Sequence, residues 1–435
     1  MKIKYWNKLS LDQQQTIIDR YEQNDQSVVK KVAKMIATIK AKGNDAIYQY
    51  EREFSNNSLK NFSVTAQEYT TVNQLSLVQK QAIKYAYNSI HQFALLQKPR
   101  NIVLKNNTKK LIRTFKPIEN VGIYVPGGSA PLVSTLLMTG TLAKIAGCKN
   151  IVVCTPLSNN KKINPAILYA AKLIGINKIY KIGGVQAICA MGFGLANVQQ
   201  VNKIFGPGNQ YVAEAKKQIV QIVKGLAIDL PAGPSEVMVI ADQSANPIFS
   251  AADLLAQAEH IGGRAILLTN NQQFAQAVIE NINRQKQVLS KQSQKFINAN
   301  YIDIIVVKNI GNAIAIANQY APEHLMLQIE KPEQWIKQIT NAGSVFVGNY
   351  SSEAFGDYVS GTNHVLPTNQ SAKCYSGLTV AAFMKSMTIQ TITEQGLIKM
   401  CKPTAILADL EGLDAHKQSV LLRYKTLKER IKKWN

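Results

Sequence analysis

The stretch Phe355–Thr368 holds one carboxylate, Asp357, and one imidazole, His364, with no other charged side chain beside them. The chain has five histidines in 435 residues. Three of the other four also lie beside acids or amides: His260 in Gln257-Ala258-Glu259-His260, His324 in Pro322-Glu323-His324-Leu325, and His416 in Glu411-Gly412-Leu413-Asp414-Ala415-His416. His91, beside Gln92, has no acid near it. Carboxylate and imidazole are zinc-compatible ligands, and no Cys-x-x-Cys pair competes with them. Their concentration in the last part of the chain points to a metal-dependent active site. Gln257 and His260 stand three apart on an expected helix and so leave one face of it, although a helical histidine is more often structural. Glu323-His324 differs in kind. Adjacent acid and imidazole do not chelate together easily, but they can divide proton-transfer work near neutral pH; alternatively, Glu323 is a helix-start charge after Pro322.

These side chains need a scaffold, and the hydropathy pattern supplies one. The first 100 residues read as helical, with Val29, Val32, Met35, Ile36 and Ile39 at helical spacing and a second helix from Glu68 to Gln97. Strands and helices then alternate: strands at Val121–Val125, Asn150–Cys154, Lys178–Ile182, Glu236–Ala241, Ala265–Thr269 and Ile302–Val307, with helices such as Leu132–Ala146, Tyr211–Val223 and Pro247–His260 between them. Such alternation predicts parallel sheets in an α/β fold. Gly225–Pro234, containing Ala232, reads as a hinge between two such units, and the chain after Thr368 reads as mostly helical. Three glycine turns, at Gly127-Gly128-Ser129-Ala130, Gly183-Gly184 and Gly206-Pro207-Gly208, follow strands and precede helices. Together they would line one crevice at the strand ends, although each is also an ordinary tight turn. No Gly-x-Gly-x-x-Gly fingerprint is present.

Composition narrows the function classes. The chain is 46% hydrophobic and 18% charged, as folded globular proteins are. Its opening residues contain no apolar signal core and no run is long enough for a membrane helix, so neither secretion nor membrane insertion is expected. Five cysteines without a paired pattern fit a reducing cytoplasm. The net charge of +23 raises nucleic-acid binding as an option. The lysines, however, are spread over segments such as Val28–Lys42, Leu104–Lys116 and Arg423–Trp434, and no zinc-finger or ribonucleoprotein motif accompanies them. No specific nucleic-acid partner is expected.

The motifs Tyr124–Pro131, Gly206–Asn209, Pro231–Glu236, Gln257–His260, Ala321–Leu325, Gly356–Thr368 and Glu411–His416 together resemble the L-histidinol dehydrogenase family over nearly the whole chain. The resemblance implies zinc- and NAD⁺-dependent oxidation of L-histidinol to L-histidine via L-histidinal, with one Zn²⁺ per site and two NAD⁺ per turnover. By residue, it implies zinc ligands Gln257, His260, Asp357 and His416, a general base at His324 and a water-activating Glu323. Ser235, His364 and Glu411 would contact substrate together with the zinc ligands and His324, and Tyr124, Gln186 and Asn209 would contact NAD⁺. It also implies a cytoplasmic homodimer whose subunits share active sites, and two Rossmann-like parallel-sheet domains with small helical terminal segments. The corresponding division is an N-terminal helical segment (1–24), a first α/β domain carrying zinc and substrate residues (25–122 and 235–378), an NAD-binding domain (123–234), and a C-terminal tail exchanged between subunits (379–435). Two other readings use the same residues: a zinc hydrolase with Glu323 activating metal-bound water, and a non-catalytic basic binding protein. The first lacks His-Glu-x-x-His and leaves the glycine turns unexplained; the second leaves the ligand cluster unexplained.

Overall fold

Buried, near-continuous apolar strands form the centre of the fold. In the computed structural model every residue of Glu236–Ala241 is buried, as expected of a parallel strand covered on both faces. The structure describes all residues except 21–25, 56–57, 60, 128–130, 159–160, 232, 261, 298–300 and 435. Gly128, Ser129 and Ala130 of the first glycine turn and Ala232 of the expected hinge therefore lie outside the described residues. Among the described residues no helix is long and apolar enough to cross a membrane.

The chain divides into two compact units, residues 1–97 with 118–383 and residues 98–117 with 384–435. The first unit holds two wholly parallel sheets of the same doubly wound order. In the five-stranded sheet Asn120–Tyr124 is central, with Asn150–Cys154 and Lys178–Tyr180 to one side and Lys203–Phe205 and Ala227–Ile228 to the other. In the six-stranded sheet Glu236–Ala241 is central. Arg264–Thr269, Ile302–Val306 and the N-terminal strand Ile3–Tyr5 extend one way; His324–Gln328 and Ser344–Val347 extend the other. In each sheet the chain leaves the centre one way and later crosses to the other side, which creates a switch point beside the central strand.

Several elements differ from the sequence reading. Helices Gln26–Lys42 and Asn44–Ser55 bury Val32, Ile36, Ile39 and Ile47 against Val185, Ile188, Val212 and Ile219, so they cover the five-stranded sheet although the division by sequence put them with the other domain. The single helix expected from Glu68 is broken, because Ser76 and Gln79 form a capping box that starts a new helix at Leu77–Leu96. Strands His324–Gln328 and Ser344–Val347 had no counterpart in the reading.

The second unit is an antiparallel sheet, Met384–Ile392 against Lys109–Pro117 against Ile102–Lys105, followed by helices Glu394–Leu410 and Asp414–Trp434. A strand thus interrupts the helical ending expected after Thr368. The hairpin is closed by Asn106, whose Oδ1 accepts from the Thr108 and Lys109 amides at 2.9 and 3.0 Å, a side-chain mimic of a turn.

Gly206, at the end of Lys203–Phe205, has φ of 111°, and a Cβ there would run into the carbonyl oxygen of Tyr124 on the neighbouring strand. Gly206→Ala is expected to destabilise the protein by at least about 2 kcal/mol, since it adds strain at positive φ to a backbone clash. A urea midpoint equal to wild type at unchanged slope would show that the turn relaxes freely.

Candidate active site

His324 opens its strand, in register with Val237 on the central strand and Ser344 on the edge strand, which places it at the amino edge of the six-stranded sheet. The approach is constrained. Ala321 ends the preceding helix in the left-handed region, Pro322 follows, and the carbonyls of Pro322 and Glu323 accept from the Gly343 and Ser344 amides. Arg20 pins the same corner: it pairs with Glu236 at 2.5 Å, donates to the Ala321 carbonyl at 3.2 Å and stacks on the Tyr320 ring at 3.4 Å. Glu236 is the residue whose amide donates to Glu323 at 2.9 Å, beside Ser235 Oγ donating at 2.7 Å. The Glu323 carboxyl is therefore fixed by two donors.

The imidazole of His324 is buried among acids. Its Nδ1 lies 3.1 Å from the Glu236 carbonyl, 3.3 Å from Glu353 and 3.7 Å from Glu323. Its Nε2 lies 3.6 Å from Asp357 and makes no hydrogen bond. Burial alone would favour neutral imidazole, but Glu353, Glu323 and Asp357 together outweigh it and raise His324 to about 10. Burial also dominates the acids, raising Glu323, and raising Glu353 to about 8 despite the charge of His324. Asp357 alone goes the other way: burial is overcome by the nearby His324 imidazole and by His364 and His260, and its carboxyl is held below the ordinary range.

Gln257 is the last residue but one of helix Pro247–Ala258, and His260 follows in the turn to the next strand. They do not share a helical face as the spacing implied, because the helix stops at Ala258. A tight turn unites them instead: a Cβ on Gly263 would lie 3.0 Å from Gln257 Nε2 and 3.1 Å from the His260 Cβ. Both amide atoms of Gln257 are buried without a partner. A buried, unpaired amide is expensive, and an unmet ligand explains it better than packing does. Among the described residues the histidine–acid cluster tight enough for an ion is His324, Glu353 and Asp357, within 4.8 Å. This differs from the set the family resemblance implies, sharing only Asp357. We favour the set with Gln257: His324 Nδ1 and Glu353 Oε1 pair with each other at 3.3 Å, whereas neither amide atom of Gln257 finds a partner among the described residues. Donor type and orphaned atoms thus fit a divalent metal at Gln257, His260 and Asp357.

His364 connects this cluster to the other sheet. Its Nδ1 is 3.2 Å from the Asp357 carbonyl, its Nε2 is 2.9 Å from Thr135 Oγ1, and its amide meets Met138 Sδ at 3.2 Å. A carbonyl only accepts, so Nδ1 carries the proton and Nε2 accepts from Thr135. Burial holds this imidazole below its usual range, consistent with a neutral ring. Thr135 lies in the first turn of Val133–Ala146, the helix that leaves the central strand of the five-stranded sheet.

At the carboxyl edge of that sheet the switch point falls between Asn120–Tyr124 and Lys203–Phe205. Tyr124 ends the first strand, and Asn209 caps helix Gln210–Ile222 just after the second, accepting from the Tyr211 and Val212 amides. Gln186 lies in the first turn of helix Gly184–Phe193. The glycine turns pack closely: Cβ atoms on Gly127 and Gly183 would meet Pro156 at 2.9 and 2.7 Å.

Glu411 ends helix Glu394–Leu410, and His416 lies in the first turn of Asp414–Trp434; both are exposed and belong to the second unit. Two residues that position the site escaped the sequence reading. Glu353 opens a helix after Ser351-Ser352 and looks there like an ordinary first-turn acid. Asp253 accepts from Ser352 Oγ at 2.9 Å and from Gln328 Nε2 at 2.8 Å, tying the Glu353–Asp357 helix to the Gln257 helix. Only a partner distant in sequence gives either its role, His324 for Glu353 and Ser352 with Gln328 for Asp253.

Paired doubly wound sheets with a buried acid–base pair across from a switch-point crevice define an α/β enzyme that acts on a small molecule. The histidinol dehydrogenase family profile matches residues 18–424. Histidinol dehydrogenase of Vibrio parahaemolyticus is 42% identical over 433 residues, 98% of this chain and 99% of the relative. That of Yersinia pestis is 44% identical over 428 residues, covering 97% and 95%. The crystal structure of histidinol dehydrogenase from Elizabethkingia anophelis superposes with a TM-score of 0.92 at 43% identity, covering 98% of each chain. The chain belongs to the histidinol dehydrogenase family, oxidoreductases that oxidise histidinol in histidine biosynthesis.

His324 and Glu353 have raised pKa values in the fold, so the folded state binds more protons than the unfolded state across the interval between their ordinary and native values. Their contribution is present at low pH and is lost as pH rises, from about 4.5 through 8 for Glu353 and from 6.5 through about 10 for His324. Metal-stripped protein should therefore lose stability as pH rises through that window, and Glu353→Gln should flatten the loss. Melting temperatures measured against pH after chelation test this; identical slopes in variant and wild type would remove Glu353 as the cause.

Proposed function

We propose that the enzyme carries L-histidinol to L-histidine in two NAD⁺-linked oxidations through L-histidinal, at a zinc site held by Gln257, His260, Asp357 and His416. The observation that carries this reading is the unpartnered Gln257 amide in the same unit as Asp357 and the His324–Glu323 pair. When bound, NAD⁺ accepts hydride from the carbinol carbon, and zinc supplies a template for the substrate's amine and imidazole nitrogens.

The chain's own residues divide the proton work. His324 accepts the hydroxyl proton at Nε2, the nitrogen without a hydrogen-bond partner, while Nδ1 stays against Glu353 and the Glu236 carbonyl. A base must first be neutral. With Asp357 committed to a divalent ion, one of the three acids that keep His324 protonated is neutralised, and the imidazole moves down toward the working range. Glu323, raised by burial and aligned by Ser235 and the Glu236 amide, takes the proton from the water that hydrates the aldehyde. Ser235, His364 and Glu411 contact the substrate. Tyr124, Gln186 and Asn209, around the switch point, hold the cofactor.

The same reading makes the enzyme a cytoplasmic homodimer in which residues 379–435 cross to the other subunit, so that Glu411 and His416 complete the neighbour's site. In its favour, the second unit exposes Ile102 at 60%, Leu407 at 60% and Leu410 at 79%, apolar side chains that an isolated chain would leave in water. The five cysteines are all unpaired, in keeping with a reducing compartment.

Purified enzyme given L-histidinol should produce two reduced NAD⁺ per histidine formed, followed by cofactor absorbance, and chelation should abolish the reaction until zinc is restored. Turnover undiminished in chelator, with metal removal verified, would exclude the zinc site. The shared-site arrangement has its own test. His416→Asn and His324→Gln proteins, each inactive alone, should regain activity when unfolded and reassembled together, because one site of the heterodimer is then intact. Verified heterodimers without activity would place each site within one chain.

A further inference from the structure

Glu51 lies wholly buried on helix Asn44–Ser55, far in sequence from every residue assigned a role above. Its Oε1 accepts from the Gly183 amide at 3.0 Å and from Gln186 Nε2 at 3.3 Å. Gly183 caps helix Gly184–Phe193, so a carboxylate of the chain itself occupies the positive end of that helix, the position where doubly wound folds often seat a ligand phosphate. The neighbouring Gly184 amide donates to Tyr124 Oη at 3.2 Å. Gly184 has φ of 56°, and a Cβ there would lie 2.9 Å from Gln186 Oε1, so the turn admits only glycine without displacing the amide.

This arrangement fixes polarity. A carboxylate accepts and does not donate, so the Gln186 amide must present its nitrogen to Glu51 and its carbonyl oxygen away from it. Tyr124, already accepting from Gly184, retains its own hydroxyl proton for donation. One oriented acceptor and one oriented donor suit a neutral hydroxyl or carboxamide, not an anion. The geometry points to Glu51 as a positioning residue for the cofactor: it closes the helix end and holds Gln186 so that, with Tyr124, it recognises a neutral polar group of NAD⁺ and leaves the pyrophosphate to be held elsewhere. This inference rests on the assignment of Tyr124 and Gln186 to the NAD⁺ pocket.

The test uses zinc-loaded full-length enzyme and measures NAD⁺ and L-histidinol dissociation constants separately by calorimetry. Glu51→Gln keeps the shape but lets the facing amides flip, and it should weaken NAD⁺ binding by about tenfold, the scale of one charge-assisted hydrogen bond. L-histidinol affinity and zinc content should remain at wild-type values. Glu51→Asp, which restores an acceptor-only group, should recover part of the loss. Unchanged NAD⁺ affinity in Glu51→Gln, or an equal loss of affinity for NAD⁺ and L-histidinol, overturns the positioning role. Gln186→Ala separates the two levels: if it weakens NAD⁺ binding while Glu51→Gln does not, the Glu51 inference alone fails, and if Gln186→Ala has no effect, the cofactor pocket itself is misassigned.

Discussion

Three acids and one imidazole share a largely buried space, and that arrangement is unstable unless something balances it. Glu323, Glu353 and Asp357 converge on His324, all but Asp357 almost wholly buried. One imidazolium cannot neutralise three carboxylates, and in a low-dielectric interior unbalanced charge is removed by taking up protons or binding cations. The raised pKa values of Glu323 and Glu353 show the first response. The metal site proposed at Gln257, whose amide finds no partner among the described residues, would supply the second. The surrounding fold holds this imbalance in place: Arg20 with Glu236 locks one strand edge, and Asp253 with Ser352 and Gln328 locks the helix that bears Glu353 and Asp357.

Asp253 carries its own share of that constraint. Burial raises it to about 6 against the pull of two hydrogen bonds, so it too is an acid with little solvation. It lies four residues before Gln257 on the same helix, and its partner Ser352 immediately precedes the helix of Glu353 and Asp357. Any slack in this link would change the spacing between Gln257 and Asp357. A buried network of this kind contributes less to net stability than to geometric uniqueness, because each member is costly when unpaired.

Local patterns made the α/β alternation and the glycine turns legible in the sequence. Glu236–Ala241 is apolar enough to read as a covered strand, and Gly206 and Gly183 sit where strand ends must turn sharply. The histidines drew attention by their rarity and their acidic neighbours, and Asp357, His324 and Glu323 do meet in space. Glu353 stayed hidden because an acid in the first turn of a helix is what the helix dipole already favours. Glu51 was equally silent: within Tyr50-Glu51-Arg52-Glu53 it looks like a solvated face, and only the packing of its helix on the five-stranded sheet buries it. Strand Met384–Ile392 was missed because most of it is exposed, so no apolar face announces it.

The two sheets use opposite edges. The proposed cofactor residues lie at the carboxyl ends of the five strands, as doubly wound folds commonly arrange, whereas Ser235, Glu323 and His324 lie at the amino ends of the six. Because both sheets belong to one compact unit, these edges need a fixed connection, and His364 provides it. One ring nitrogen is tied to the Asp357 backbone and the other to Thr135, so helices Glu353–Tyr358 and Val133–Ala146 are joined through a neutral imidazole. Protonating that ring would turn its acceptor nitrogen into a second donor and leave the Thr135 hydroxyl to reorient. Burial keeps the ring neutral, and neutrality preserves the link. Two histidines in one site thus do different work: His324, surrounded by acids, is built to hold a proton, and His364, facing a carbonyl and a hydroxyl, is built not to.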